Sequence, residues 1–585
     1  MGHPHAGIMA EKVDVMTTFA SIPLNRKLLF ILGILCIVFY LPTFNANYLY
    51  FDEYISILQN PQIQSPLSFD NLKNIFTTFT ENQYTPLSIF SFWVEFNLFG
   101  YNSQIAHIVN LIIHIFGVFA LFYFLLYLLE NTKAAFLLAA IWAIHPMQVE
   151  SVVWVLGRRT LLYGSFFIAS LALYGKYIKE NKNHYFWLAL LAMLLSGLSK
   201  TLAFTAPFAW IAMDLLKGQK FSIKIIMEKL IAFILAIVLM ITMLTAANDG
   251  ITNKEEQPLN IKEAAFSIGY YPILTIFPHK LSGTNEINHA TKHILDNGPL
   301  YLSVFLLFSI IISIKSKIAL AGLIYYLIHI FPMSGLIRVG YPFYVSYHFC
   351  YVAQIGLLLI IYGWFKFIKE KINYKISNKL QVAVIIILLL FFGCQTYNFS
   401  LVWQNSENLF NNSLQLDPEN RFARNMITKY YIAVGNFDKA EYHCKELLQK
   451  HPDFFGGYYS MSAILMQQKK IQDSEKYLNK AIEIAGYRSD VTYSRGFCRY
   501  ILKNWSGADE DFSIILSYNP NNVNALLFRA TARFEMGQYS LARQDHLKIF
   551  NLEPDNIQNK SQWLKNSLYS LDITSLLLIM FGSNQ

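Results

Sequence analysis

Apolar residues follow two different patterns along this chain, and the change falls near Phe399. Before it, long apolar runs alternate with short polar connections; after it, apolar positions recur at helical spacing inside a repeating frame. The runs predict helices near residues 28–44, 104–129, 134–148, 160–175, 185–199, 201–216, 230–247, 299–314, 318–333, 349–365 and 380–398. About twenty apolar residues suffice to cross a bilayer as a helix, so eleven spans are expected. Ala264 to Pro278 is also apolar, but a crossing there would reverse every later connection, and it is read as an interfacial or re-entrant helix.

Beyond Phe399 the frame is 34 residues long. Pro418, Pro452, Pro520 and Pro554 stand 34, 68 and 34 residues apart, with Gly486 where the missing proline would fall. Ala440, Ser474, Ala508 and Ala542 share one small-residue position, and Phe437, Ile471, Trp505 and Tyr539 share a bulky one three residues earlier. This period and pattern match the tetratricopeptide helix-turn-helix unit, whose neighbours stack to bury one another's apolar faces. A single helix over Asn405 to Leu416 is expected before the array and a polar cap over Ile557 to Leu571 after it. Ile573 to Phe581 is too short to cross a bilayer and reads as a docking tail.

The fold expected is all-α. A cytoplasmic N-terminus (1–27) precedes a polytopic membrane domain (28–399) with an exported loop at 43–102. A tetratricopeptide α-solenoid (400–572) and a tail (573–585) follow.

Charge orients this arrangement. Six alternate connections carry lysine or arginine: Arg26 and Lys27; Lys133; Lys176 to Lys182; Lys217 to Lys229; Lys315 and Lys317; and Lys366 to Lys379. Basic connections stay in the cytoplasm, whereas Thr43 to Asn102 holds only Lys73. An odd number of spans then sends the repeats to the same exported side as that loop, which for a bacterial inner membrane is the periplasm. The chain is 54% hydrophobic and 15% charged, well below the soluble average of about 25% charged. The net charge of +9 therefore reflects topology, and no nucleic-acid partner is expected. Cys36, Cys350, Cys394, Cys444 and Cys498 are widely spaced, so free thiols and no metal site are expected.

Candidate chemistry lies where charge meets the apolar runs. Asp52 and Glu53 open the first exported loop; paired acids there can serve as a general base toward a hydroxyl or hold an acceptor or cation. His107, Asn110 and His114 share one face of the second span, either as site residues or as helix-to-helix hydrogen bonders. His145, Glu150, Arg158, Arg159, Lys200, Arg338 and His348 fall at the same membrane face as the acids under this topology. A basic cluster beside acids suits an anionic lipid phosphate facing a nucleophile. On the first helices of the repeats, Tyr459, Tyr493, Arg495, Arg499, Arg529 and Arg533 are candidates for binding an extended acceptor on the concave face, or are packing and solvated surface.

Specific motifs add a resemblance. Asn60-Pro61, Tyr84-Thr85-Pro86-Leu87, Leu98-Phe99-Gly100, His107-Ile108-Val109-Asn110, His145-Pro146 with Val149-Glu150-Ser151-Val152, Ser199-Lys200 and Gly335-Leu336 stand in the order seen in one family. The chain resembles the transmembrane and tetratricopeptide repeat-containing proteins and their bacterial relatives, from Tyr48 into the repeats. That family resembles GT-C glycosyltransferases, with an acidic pair in the first exported loop, a polyprenyl-phosphate sugar as donor and protein hydroxyls as acceptors; in animal members the sugar is mannose. The resemblance implies Asp52 as base with Glu53 beside it, and Arg158 and Lys200 near the donor phosphate. It implies no further cofactor and leaves any divalent metal open. Relatives carry an aspartate where this chain has Thr160, and Asp-Arg-Tyr where it has Tyr347-His348-Phe349.

The leading expectation is a membrane protein O-glycosyltransferase acting on exported Ser or Thr hydroxyls. A membrane-anchored repeat scaffold for an envelope or secretion complex, and a transporter or polymerase of lipid-linked glycans, are the alternatives. The chain shows neither a P-loop nor a dinucleotide fingerprint.

Overall fold

The computed structural model describes residues 23–50, 52–80, 83–220, 222–249, 261–285, 295–334, 345–371 and 377–552. Arg338, the cap expected over 557–571 and the tail from 573 lie outside them. Among the described residues the protein is all-helical, with one isolated bridge between Thr80 and Gln83. The chain forms two compact units: residues 1–48, 61–281 and 294–404, and residues 49–60, 282–293 and 405–585.

The first unit runs through α1 (Leu24–Phe39), α2 (Phe69–Thr77), α3 (Pro86–Phe99), α4 (Ser103–Leu129), α5 (Thr132–Ala143), α6 (Arg158–Glu180) and α7 (Asn183–Ser199). It continues with α8 (Ala206–Leu216), α9 (Leu230–Asp249), α10 (Ile261–Ile276), α11 (Gly298–Ser313), α12 (Lys317–Ile330), α13 (Cys350–Lys371) and α14 (Asn378–Val402). Each apolar run named above is helical over most of its length, the run 134–148 breaking after Ala143, because in an apolar surrounding only a helix satisfies its own backbone groups. Asparagine and serine caps start several of them: Asn102 accepts from Ile105 N, Asn131 from Ala134 N and Ser377 from Leu380 N.

Length separates these helices. Ser103–Leu129, Val155–Glu180, Tyr347–Lys371 and Asn378–Val402 are long and apolar enough to cross a membrane, and the pair Thr132–Ala143 and Pro146–Val153, bent by 54°, adds a fifth if counted as one span. Thr201–Leu216, Leu230–Ala246, Gly298–Ser313 and Lys317–Met333 are apolar but shorter. At 1.5 Å per residue a 16-residue helix covers about 24 Å, short of the roughly 30 Å hydrocarbon core. Among the described residues, length and composition alone thus support four or five crossings, where eleven were expected. Helices α12 and α13 approach until a Cβ on Gly322 would lie 2.6 Å from the Gly356 carbonyl oxygen, and one on Gly356 2.5 Å from that of Gly322. Small residues let membrane helices pack at backbone distance in this way.

The second unit is an array of helix pairs. The single helix α15 (Ser406–Leu416), capped by Asn405, precedes α16 (Arg421–Ala433), α17 (Phe437–Lys450), α18 (Phe455–Gln467) and α19 (Ile471–Ala485). Helices α20 (Ser489–Ile501), α21 (Trp505–Tyr518), α22 (Val523–Glu535) and α23 (Tyr539–Leu552) complete it. The second helix of each pair begins at 437, 471, 505 or 539, on the bulky residue of the frame. Ala440, Ser474, Ala508 and Ala542 are all buried, where a larger side chain would force overpacking worth about 1–3 kcal/mol. Cys444 and Cys498 are buried free thiols inside the array.

Candidate active site

The chain of the first unit breaks between α5 and α6, and the break positions most of its candidate residues. A turn at Pro146–Gln148, a short helix at Val149–Val153 and a second turn at Val155–Gly157 lead into Arg158. A Cβ on Gly157 would sit 2.4 Å from the Ser151 carbonyl oxygen, so the return is tight enough to require glycine. Asn110 of α4 holds the break open: its side-chain amide donates toward the carbonyls of Val152, Trp154 and Val155, at 3.4, 3.1 and 3.2 Å.

Arg158 is fully buried and each of its three nitrogens is engaged. Nε donates to Asn110 Oδ1 at 2.9 Å, Nη1 to Ser91 Oγ at 3.2 Å, and Nη2 to the Ala106 carbonyl at 3.0 Å. Nη2 also pairs with Glu95 at 2.8 Å, and the guanidinium lies 4.1 Å from the centre of the Phe92 ring. Glu95, Ser91 and Phe92 belong to α3, inside the segment expected to be a loop. The signal was present: a carboxylate within the apolar run Ser91-Phe92-Trp93-Val94-Glu95-Phe96 requires a partner.

Glu150 anchors a different segment. Its carboxylate accepts from Ser346 Oγ at 2.7 Å, Tyr347 N at 2.6 Å and His348 N at 3.3 Å, and contacts His348 Nδ1 at 2.6 Å. Tyr271 of α10 secures the same segment by donating to the Ser346 carbonyl at 2.8 Å. Lys200 follows α7, half-buried beside Arg159 and Glu150, with its ammonium 5.6 Å from the Phe349 ring centre. Among the described residues that ammonium makes no hydrogen bond or ion pair. The Lys200 ammonium is thus a cation to which an anionic group can be paired.

The histidines of this unit bridge helices. His114 meets the Tyr351 hydroxyl at 2.9 Å through Nδ1 and the Ala143 carbonyl at 2.9 Å through Nε2, stacked on Trp142. His145 meets the Thr275 carbonyl at 3.1 Å and receives Met147 N at 3.2 Å. His107 is buried beside the backbone of Asn47 and Val153. A further buried pair escaped the sequence reading: Lys229 meets Asp214 at 2.6 Å, and the Tyr174 hydroxyl donates to the same carboxylate at 2.9 Å. Lys229, counted above among the cytoplasmic charges, is thus a core ion pair.

Asp52 and Glu53 belong to the second unit. They start a turn of wide helix through Leu58. Glu53 is buried and accepts from Leu49 N at 2.5 Å, which makes it a local clamp, and Asp52 is half-buried next to it. Tyr50 N donates to Ser406 Oγ at 2.7 Å and ties this segment to α15.

In the repeats the predicted arginines form a ladder. Arg495 makes a two-pronged contact with Asp511, at 3.0 and 2.6 Å, and Arg499 meets Glu475 at 2.9 Å and Asp511 at 3.1 Å. One frame later Arg529 forks onto Asp545 at 3.0 and 2.6 Å, and Arg533 meets Asp509 at 2.6 Å and Asp545 at 3.0 Å. Tyr459 is buried and Tyr493 half-buried, packed in the cluster that includes Phe512 and Phe528. Among the described residues no group of three or more His, Cys, Asp or Glu is arranged to hold a metal ion.

These features define a class: an all-helical membrane protein with a charged cluster inside its apolar unit and a tetratricopeptide array later in the chain. No family model matches the sequence. Curated proteins similar to this chain include protein O-mannosyl-transferases of the transmembrane and tetratricopeptide repeat-containing family. One from Caenorhabditis elegans is 26% identical over 428 residues, covering 68% of this chain and 58% of the relative. TMTC3 of Homo sapiens is 22% identical over 582 residues, covering 86% of this chain and 62% of the relative. The chain therefore spans about 60% of the length of these relatives. Among solved structures it is similar to MamA, 18% identical with a TM-score of 0.24 over 26% of this chain and 83% of that one. YrrB, a TPR protein with an unusual peptide-binding site, is 15% identical with a TM-score of 0.24 over 26% of this chain and 77% of that one.

Proposed function

We propose that this protein transfers a mannose-like sugar from a polyprenyl-phosphate carrier to Ser or Thr hydroxyls of exported proteins. In that reaction the acceptor oxygen bonds to the anomeric carbon while the bond from that carbon to the phosphate oxygen breaks. The hydroxyl proton passes to a carboxylate, and the lipid phosphate departs as an anion. The observation that carries the reading is the Lys200 ammonium, half-buried beside Arg159 without a hydrogen bond or ion pair among the described residues. Lys200 and Arg159 take the donor phosphate. Arg158, with each of its nitrogens engaged, holds the start of α6 and so places Arg159. Glu150 positions His348 at the rim of the same cluster. Asp52 is the proposed base, with Glu53 shaping its turn. The repeats are the proposed acceptor-binding surface, its contour set by the arginine ladder and by Tyr459 and Tyr493. The proposed location is a bacterial inner membrane with the repeats in the periplasm, an orientation that the lysine distribution supports.

The test is transfer by the purified full chain from a polyprenyl-phosphate mannose to a peptide and to a whole protein. Lys200→Gln and Asp52→Asn are each expected to lower turnover at least about a hundredfold, with folding intact by circular dichroism. Full activity in either variant removes that residue from the reaction. The scaffold reading has one observation of its own: His348 stands where the family carries arginine and is already bound to Glu150. Absence of transfer by the wild-type chain, with loss of a co-purifying complex when the repeats are altered, would favour it.

A further inference from the structure

A groove of about 520 Å³ runs between the segment after α10 and the last turns of α14. Phe277, Leu281, Phe391 and Phe399 give it apolar walls, while His279, Lys280 and Gln395 also line it. Helix α14 faces lipid, since only 17% of its most apolar stretch is buried within the protein. Its 25 residues extend about 38 Å, beyond the roughly 30 Å hydrocarbon core, so its final turns emerge at headgroup depth. Phe277 and Phe391 stay 66% and 45% exposed, with Phe391 near the middle of α14 at acyl-chain depth. No carboxylate is among the described residues that line the groove. Lys280 is exposed, in left-handed backbone at φ 49°, and makes no ion pair among the described residues. His279 Nδ1 lies 2.9 Å from the Phe277 carbonyl, which directs Nε2 away from it. Apolar walls that run from acyl-chain depth to the headgroups, with a cation at the rim, match one ligand chemistry, an acyl chain joined to a phosphate.

We propose that this groove is a binding site for a glycerophospholipid with an anionic headgroup, separate from the Lys200 cluster. The acyl chain lies along Phe277, Phe391 and Phe399, and the headgroup phosphate meets Lys280. The site is tested by native mass spectrometry of the detergent-solubilised full chain with added phosphatidylglycerol or phosphatidylcholine. Phosphatidylglycerol is expected to be retained at least about fivefold better, the scale of one interfacial cation. Lys280→Glu should abolish that preference, and Gln395→Trp, which fills the groove, should reduce retention of both lipids. Lys133→Glu, at an exposed lysine outside the groove, should change neither. Equal retention of the two lipids by the wild type overturns the proposal, as does a preference that survives Lys280→Glu. Should Lys280→Glu fail to fold, unchanged retention in Gln395→Trp overturns it independently.

Discussion

Arginine is fixed in both units, but by different routes. Arg158 of the first unit draws partners from 48, 52 and 67 residues away, together with Glu95. Arg495 of the second forks onto Asp511, 16 residues on, and its third donor reaches Asn479, 16 residues back. The same contacts recur at Arg529 with Asp545 and Ser513. A solenoid offers each repeat the same neighbours, so one solution is reused. An apolar membrane unit holds a guanidinium only where several distant helices supply acceptors together, because desolvation of the charge must be offset on every side. Arg158 is therefore unique within its unit's described network, and the repeat arginines come in registered pairs.

The sharpest break of this contrast is removal of Glu95. Glu95→Ala leaves Arg158 buried with a lost counter-charge and is expected to cost about 3–5 kcal/mol, measured as a lower unfolding midpoint of the detergent-solubilised chain. Joint replacement by Glu95→Leu and Arg158→Met should recover much of that loss; a single-variant cost under about 1 kcal/mol would contradict a desolvated pair.

Within the ladder the expected effects are smaller and graded by burial. Asp511 is fully buried and serves two arginines, so Asp511→Ala should cost about 2–4 kcal/mol. Asp509, 26% exposed and serving Arg533 alone, should cost less than about 1 kcal/mol on replacement by alanine. Hydrogen exchange in α20 and α22 of the full chain reads the difference, and equal protection in the two variants would refute the grading.

The smallest expected effect is a pH slope confined to the repeats. Burial, reinforced by Arg424, lowers His443 to about 4, against an ordinary value of about 6.5. The folded state therefore refuses a proton that the unfolded chain accepts. Its contribution is complete above about pH 6.5 and declines as pH falls toward 4, diminished by the ring's partial exposure. Hydrogen exchange of α16 and α17 across this range should show the decline, and His443→Gln should flatten it; an unchanged slope in that variant assigns the effect to another group.

Much of this protein was legible in the chain. The helix starts at 437, 471, 505 and 539 follow from a period, because each repeat is specified by contacts at short and fixed sequence distance. The apolar helices were legible as runs, whereas their lengths and the bend at His145–Pro146 depend on packing. Lys200, Arg159, Glu150 and His348 were identifiable as polar residues beside apolar runs. Their neighbourhood was expected from topology, whereas the pairing of Glu150 with His348 was visible only in three dimensions.

The sequence by itself determined the all-helical class, the division into apolar and repeat regions and the small-residue seams of the repeats, since each depends on local periodicity and composition. Only the tertiary structure decided the partners of buried charge. Glu95 meets Arg158 and Asp214 meets Lys229 across helices far apart in sequence. Periodicity places a residue on a face, but the desolvation cost of an ion is relieved by whichever group the packed helices bring to it.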